Sequence, residues 1–186
     1  MKITTKEFGD IQIEDNDIIR FTRGIYGFEG NDNFVILKDM PDDDIMYLQS
    51  IENSNLHFVI VEPYAIFPNY SPELSEDDIL ALNINKDEII NLKYMLIAVI
   101  TEELENSIVN LRNPIVIDPN TRHAIQAILQ NQDYPLRYPL FIKNIAHRYL
   151  PDCSRLTISA EKVENVVSPP HSPVTISSFH AGSSCG

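Results

Sequence analysis

Cysteine is almost absent from this 186-residue chain, with Cys153 and Cys185 both placed late. Two thiols so placed build neither a disulfide framework nor a four-cysteine zinc site, and they fit a reducing compartment. Basic residues are also scarce: 14 Lys and Arg stand against 27 Asp and Glu, a formal net charge of −13. A surface of that sign repels phosphate backbones, which argues against direct nucleic-acid binding, and it attracts a basic protein partner. Long apolar runs are missing too. The longest reach strand length, and Met1-Lys2-Ile3-Thr4-Thr5-Lys6-Glu7 lacks the apolar stretch of a signal peptide. The expectation is a cytoplasmic protein that does not enter a membrane.

Catalytic constellations are equally thin. His57, His123, His147, His171 and His180 are scattered rather than paired at metal-ligand spacing, and His57 reads as a partly buried strand residue. There is no Gly-x-Ser-x-Gly elbow, neither cysteine has a nucleophile's context, and the carboxylates are too many to single out a working pair. No catalytic residue, metal ligand or cofactor is therefore assigned. The acidic run Asp39-Met40-Pro41-Asp42-Asp43-Asp44 offers the oxygen ligands that calcium prefers, but it lacks the mid-loop glycine and closing glutamate of a calcium loop. It reads as a solvated loop, with Asp42, Asp43 and Asp44 as candidate contacts for a basic partner. Glu73, Glu76, Asp77 and Asp78 form a second acidic concentration.

What is present is a succession of short β-branched and aromatic runs separated by Gly, Pro, Asn and Asp. Strands are expected at 11–13, 18–21, 34–38, 46–50, 58–61, 94–100, 107–111 and 114–117. The nearly continuous apolar run Tyr94 to Ile100 predicts a strand covered on both faces. One helix is legible: Ser75 caps it, Glu76, Asp77 and Asp78 suit its positive end, and it stops near Asn83. Residues 86–92 can add a second helical turn. Residues 123–130 are ambiguous, since Ile125, Ile128 and Leu129 have helical spacing while Pro119-Asn120 looks like a hairpin turn. The fold class is all-β, mainly antiparallel, a small barrel-like or sandwich domain with one or two short helices.

The chain divides into a domain at 1–143 and an unassigned extension at 144–186. The first part holds 11 basic and 24 acidic residues and the second three of each. From Ser168 to Gly186, 11 of 19 residues are Ser, Pro or Gly, a composition expected to be a disordered tail. Within the domain, Tyr64-Ala65-Ile66-Phe67-Pro68-Asn69-Tyr70 concentrates aromatics. Tyr64, Phe67 and Tyr70 are candidate interface anchors, set against the alternative that they plug the core. Gly24 and Gly27 bracket Ile25-Tyr26 and are expected to take positive φ at a bend that presents Phe28 to the core.

That bend, Phe21-Thr22-Arg23-Gly24-Ile25-Tyr26-Gly27-Phe28-Glu29, is followed in order by Leu48-Gln49-Ser50, Phe58 to Pro63, Asn110-Leu111, Pro114 to Ile117, and Gln126 to Leu129. Taken together over residues 1 to about 143, these runs resemble the flagellar assembly factor FliW family. The resemblance implies a non-enzymatic, cytoplasmic β-barrel module with two competing protein partners. These would be flagellin, bound at its carboxy-terminal region, and CsrA, the RNA-binding repressor of flagellin translation that the factor antagonises. It also implies that 123–130 is a strand. Of the residues that match the pattern, Asn110 is a further contact candidate, at a turn or strand edge where its amide can satisfy backbone groups. The rival reading is a small-ligand-binding β-barrel or barrel-fold enzyme, which needs a pocket enclosed by the inner face.

Overall fold

The computed structural model describes residues 1–40, 44–131, 133–140 and 175–176. Its strands are β1 (Lys2–Thr5), β2 (Gly9–Gln12), β3 (Ile19–Phe21), β4 (Asn33–Lys38), β5 (Ile45–Ser50), β6 (His57–Val61), β7 (Lys93–Val99), β8 (Ile108–Val109), β9 (Ile115–Ile117), β10 (His123–Gln126), β11 (Tyr138–Pro139) and β12 (Thr175–Ile176). The helices are α1 (Pro63–Ile66) and α2 (Glu76–Leu82), with a 3-10 stretch at Lys86–Asn91. Strands β4 to β7 form an antiparallel meander, β3 pairs with β4 and, in parallel, with β10, and β9 joins β10 to β7. The ring β3-β4-β5-β6-β7-β9-β10 is thereby closed.

Closure sorts the side chains by the alternation of a strand. Phe34, Ile36, Met46, Leu48, Ile60, Met95, Ile115, Ile117 and Ala124 point inward and belong to one buried cluster. Their neighbours point outward into two further layers. Val35 and Leu37 are covered by the β1–β2 hairpin with Ile3, Ile11 and Ile13. Val59, Val61, Tyr94, Leu96, Val116 and Ile125 are covered on the other side, with Ile66 of α1 and Leu82 of α2 in the same cluster. Strand β7 is thus buried on both faces, as its apolar run requires. The interior is filled by side chains where the ligand-barrel reading needs a cavity.

Local chemistry explains the elements. Ser75 accepts a hydrogen bond from the Asp78 N–H while the Asp78 carboxylate accepts from Ser75 N–H at 3.1 Å, a capping box, and Asn83 closes α2 with φ 56°. Of residues 123–130, His123–Gln126 form strand β10, as the strand reading expects. Ile125, Ala127 and Leu129 are buried and Ile128 is exposed, an alternation that the small Ala127 hides in the sequence. Ala127 N–H donates to Pro114 and Leu129 N–H to Arg112, both at 3.0 Å, carrying the pairing past β10. The sequence reading named neither β1 nor β11, and the aromatic segment after β6 proves to open as a helical turn with Pro63 at its first position. Of residues 144–186, Thr175 and Ile176 are described, as β12; the expected disorder of the rest lies outside the described residues.

Candidate functional site

The bend after β3 stands over one end of the barrel. Gly24 and Gly27 take φ of 70° and 82°, so the tight loop does need glycine at both positions. It buries Ile25 in the interior, but Phe28, expected in the core, is 40% exposed. Its ring meets Phe58 edge-on at 4.9 Å, and Phe58 is the last inward-facing residue of β6 at this end. Strand β7 changes partner here, from β9 through Met95 to β8 from Ala98. The result is an open groove of about 290 Å³, lined by Tyr26, Phe28, Phe58, Ile97, Val99 and Leu136 among others. Tyr26, Val99 and Leu136 are each more than half exposed.

Two amides stand in this apolar surface, Asn110 and Gln126. The Asn110 Oδ1 accepts from the backbone N–H of Arg112 and of Asn113, both at 3.0 Å, and its own N–H donates to the Ile97 carbonyl. The Gln126 Oε1 accepts from Tyr26 N–H at 3.1 Å, tying the bend to β10. Each oxygen is used to hold the groove wall, and each NH₂ has no partner among the described residues. Beside Phe28, backbone N–H groups of Glu29 itself and of Gly27 hold the Glu29 carboxyl below its usual pKa, so it stays ionised.

The aromatic segment has a different fate. Tyr70 is 4% exposed, its hydroxyl donates to the Leu111 carbonyl at 2.8 Å, and its ring stacks on Tyr134 at 5.0 Å. It is a core residue, corrected from the interface role by burial and a satisfied hydroxyl. Phe67 is half-buried between Tyr134 and Tyr138, edge-on to both at 5.8 Å. Tyr64 alone of the three is exposed, at 52%, with its ring edge-on to Tyr70. Burial pushes the Tyr94 hydroxyl up to about 12 and that of Tyr70 further up, with neighbouring tyrosines adding to both.

The acidic candidates divide as well. Asp42 and Asp43 lie outside the described residues, and Asp44 is exposed. Asp78 is buried, hydrogen-bonded to Ser75 and ion-paired with Arg23 of the bend, so it braces the loop rather than facing a partner. Among the described residues no group of three or more His, Cys, Asp or Glu is placed to hold a metal.

The residues that match the family pattern are separated by these contacts. Gln49 Nε2 donates to the carbonyls of Ser50, Asn53 and Leu56, and Ser50 Oγ accepts from Glu52 and Asn53 N–H, so both build the β5–β6 turn. Leu111 and Pro63 are buried. Phe28, Asn110 and Gln126 converge on the groove instead. Sequence reasoning singled out Asn110 and left Phe28 and Gln126, which also match the pattern, undivided between fold and contact; the structure brings all three to the groove.

Fold and groove together define a small closed β-barrel with a packed interior, whose open apolar surface lies at its mouth. The family model for the FliW protein matches residues 2–140. The chain is 39% identical over 141 residues to the flagellar assembly factor FliW of Thermoanaerobacter pseudethanolicus, covering 75% of this chain and 93% of that one. It is 38% identical over 146 residues to that of a Geobacillus species, covering 78% and 99%. A crystal structure of the flagellar assembly factor FliW superposes with a TM-score of 0.68 at 35% identity, over 76% of this chain and 98% of that one. This chain belongs to the FliW family of flagellar assembly factors.

Proposed function

We propose that this flagellar assembly factor works by partner switching, binding flagellin and, alternatively, CsrA, through the groove at the barrel mouth. The observation that carries the reading is the convergence of Phe28, Asn110 and Gln126, with two NH₂ groups unpaired among the described residues in an apolar surface. Exposed aromatics around a few hydrogen-bond donors are what a protein interface buries. Accumulated flagellin would occupy the groove and leave CsrA free to repress; export would vacate it and let the factor antagonise CsrA again. Two exclusive equilibria suffice, with no chemical step, in the cytoplasm. The net charge of −13 favours encounter with the basic surface that an RNA-binding protein carries.

The test is calorimetric titration of the chain with purified flagellin, with CsrA, and with CsrA after saturation by flagellin. Saturable binding to each alone, CsrA binding that weakens with salt, and no CsrA binding after flagellin are the expected results. Simultaneous binding of both would sink the switch, and no binding to either at micromolar concentration would sink the partner assignment.

A further inference from the structure

Strand β3 is shorter than β4, pairing with Asn33 and Phe34, whereas β5 pairs with β4 from Phe34 through Leu37. On the β3 side, the distal part of β4 is thus an edge, and an edge is a template for strand addition. The outward side chains there, Val35 and Leu37, are already buried under the β1–β2 hairpin, so what the edge offers is backbone hydrogen bonding. It is met by β12: Thr175 lies opposite Lys38 and Ile176 opposite Leu37, antiparallel. The sequence marks the same spot. Val174-Thr175-Ile176 is a run of three β-branched residues within a stretch of Ser, Pro, His and Gly, and Pro173 precedes it where a strand can begin.

We propose that the distal edge of β4 is a strand-addition site and that its occupant is the chain's own Thr175–Ile176, folded back in cis as a displaceable cover. The family match ends at residue 140, so the cover belongs to the extension and not to the domain shared with relatives. Positions 141–174 supply up to about 3.3 Å each when extended, ample to bring β12 back to the domain it leaves at β11. Among the described residues the ladder has two pairs, Thr175 with Lys38 and Ile176 with Leu37. Any extended segment of another chain that adds to β4 must displace it, so the extension tunes access to this edge.

The test is a cysteine cross-link in the full chain. With Cys153→Ser and Cys185→Ser removing the native thiols, Lys38→Cys is combined with Thr175→Cys, a directly opposed pair. Opposed antiparallel residues have Cα atoms about 4.5–5.5 Å apart, within disulfide range. The control pairs Thr175→Cys with Asn55→Cys at the β5–β6 turn, toward the other end of the sheet. Mild oxidation is expected to link 38 to 175 within a monomer at least tenfold faster than 55 to 175. Equal rates, or a linked dimer, overturn the assignment. As a second measurement, amides in a peptide spanning 35–40 are expected to exchange several-fold more slowly in the full chain than in one ending at residue 143. That shorter chain keeps the residues matched by the family model, and the superposition on the solved relative covers 98% of the relative's chain. Equal exchange overturns it as well.

Discussion

The barrel mouth and the face under α1 are both rich in aromatics, and they end in opposite states. Under α1 the rings of Phe67, Tyr70, Tyr94 and Tyr134 contact one another or their neighbours edge-on or stacked, and the Tyr70 hydroxyl is bonded to a backbone carbonyl. At the mouth, Tyr26 and Phe28 remain exposed and two amides keep donors that have no partner among the described residues. A surface that has met its own hydrogen bonds and packing has little left to offer a partner; one that has not gains from burial. Aromatic density therefore does not single out the proposed interface; unspent donors and exposed rings among the described residues do.

The comparison breaks most readily at its closed side. Tyr70→Ala removes a buried ring and leaves the Leu111 carbonyl without its donor, and the chain is expected to lose about 3–5 kcal/mol of stability by urea denaturation. Tyr64→Ala, a few residues away but half exposed, is expected to stay within about 1 kcal/mol. Equal losses would place both rings in one core and remove the contrast between them.

The open side is sharpened by substitutions that leave the wall intact. Asn110→Asp and Gln126→Glu each retain the oxygen that accepts backbone N–H and replace the free NH₂ by an acceptor. Stability is expected to change by less than about 1 kcal/mol, while affinity for a groove partner falls about tenfold or more, read by titration. Unchanged affinity with both substitutions present would remove the groove from the interface. A loss of stability equal to the loss of binding would return both residues to a purely structural role.

How far the sequence could lead differs between the two regions for a physical reason. The α2 cap, the doubly buried β7 and the hairpin at Pro119-Asn120 were legible, because caps, apolar runs and turns are local chemistry. The strand at 123–126 was left open by the residue pattern, because Ile125, Ile128 and Leu129 mimic helical spacing, and was reached through the family resemblance. The groove was legible in part. Asn110 stood out, but Phe28, Asn110 and Gln126 are far apart in the chain and meet only because β7 exchanges β9 for β8. Tyr70 was named with Tyr64 because composition cannot say which ring of a pair faces inward.

The smallest expected effect is also the one that reads the closed side without disturbing its packing. In the unfolded chain a tyrosine loses its proton near pH 10. Folding holds the Tyr94 hydroxyl to about 12, chiefly by burial, and Tyr70 is shifted in the same direction. The folded state therefore binds more protons than the unfolded state above pH 10, and stability must fall as pH rises through that window. Below pH 10 both states keep the proton and this contribution is constant. The melting temperature is expected to be flat with respect to these groups from pH 8 to 9.5 and to drop from 10 to 12. Tyr94→Phe is expected to change stability little at pH 8 and to make the alkaline drop shallower, because one proton that the folded state retains is no longer there to be lost. An unaltered slope in Tyr94→Phe would mean that its hydroxyl is as solvated in the folded chain as in the unfolded one, and the α1 face would then be as open as the mouth.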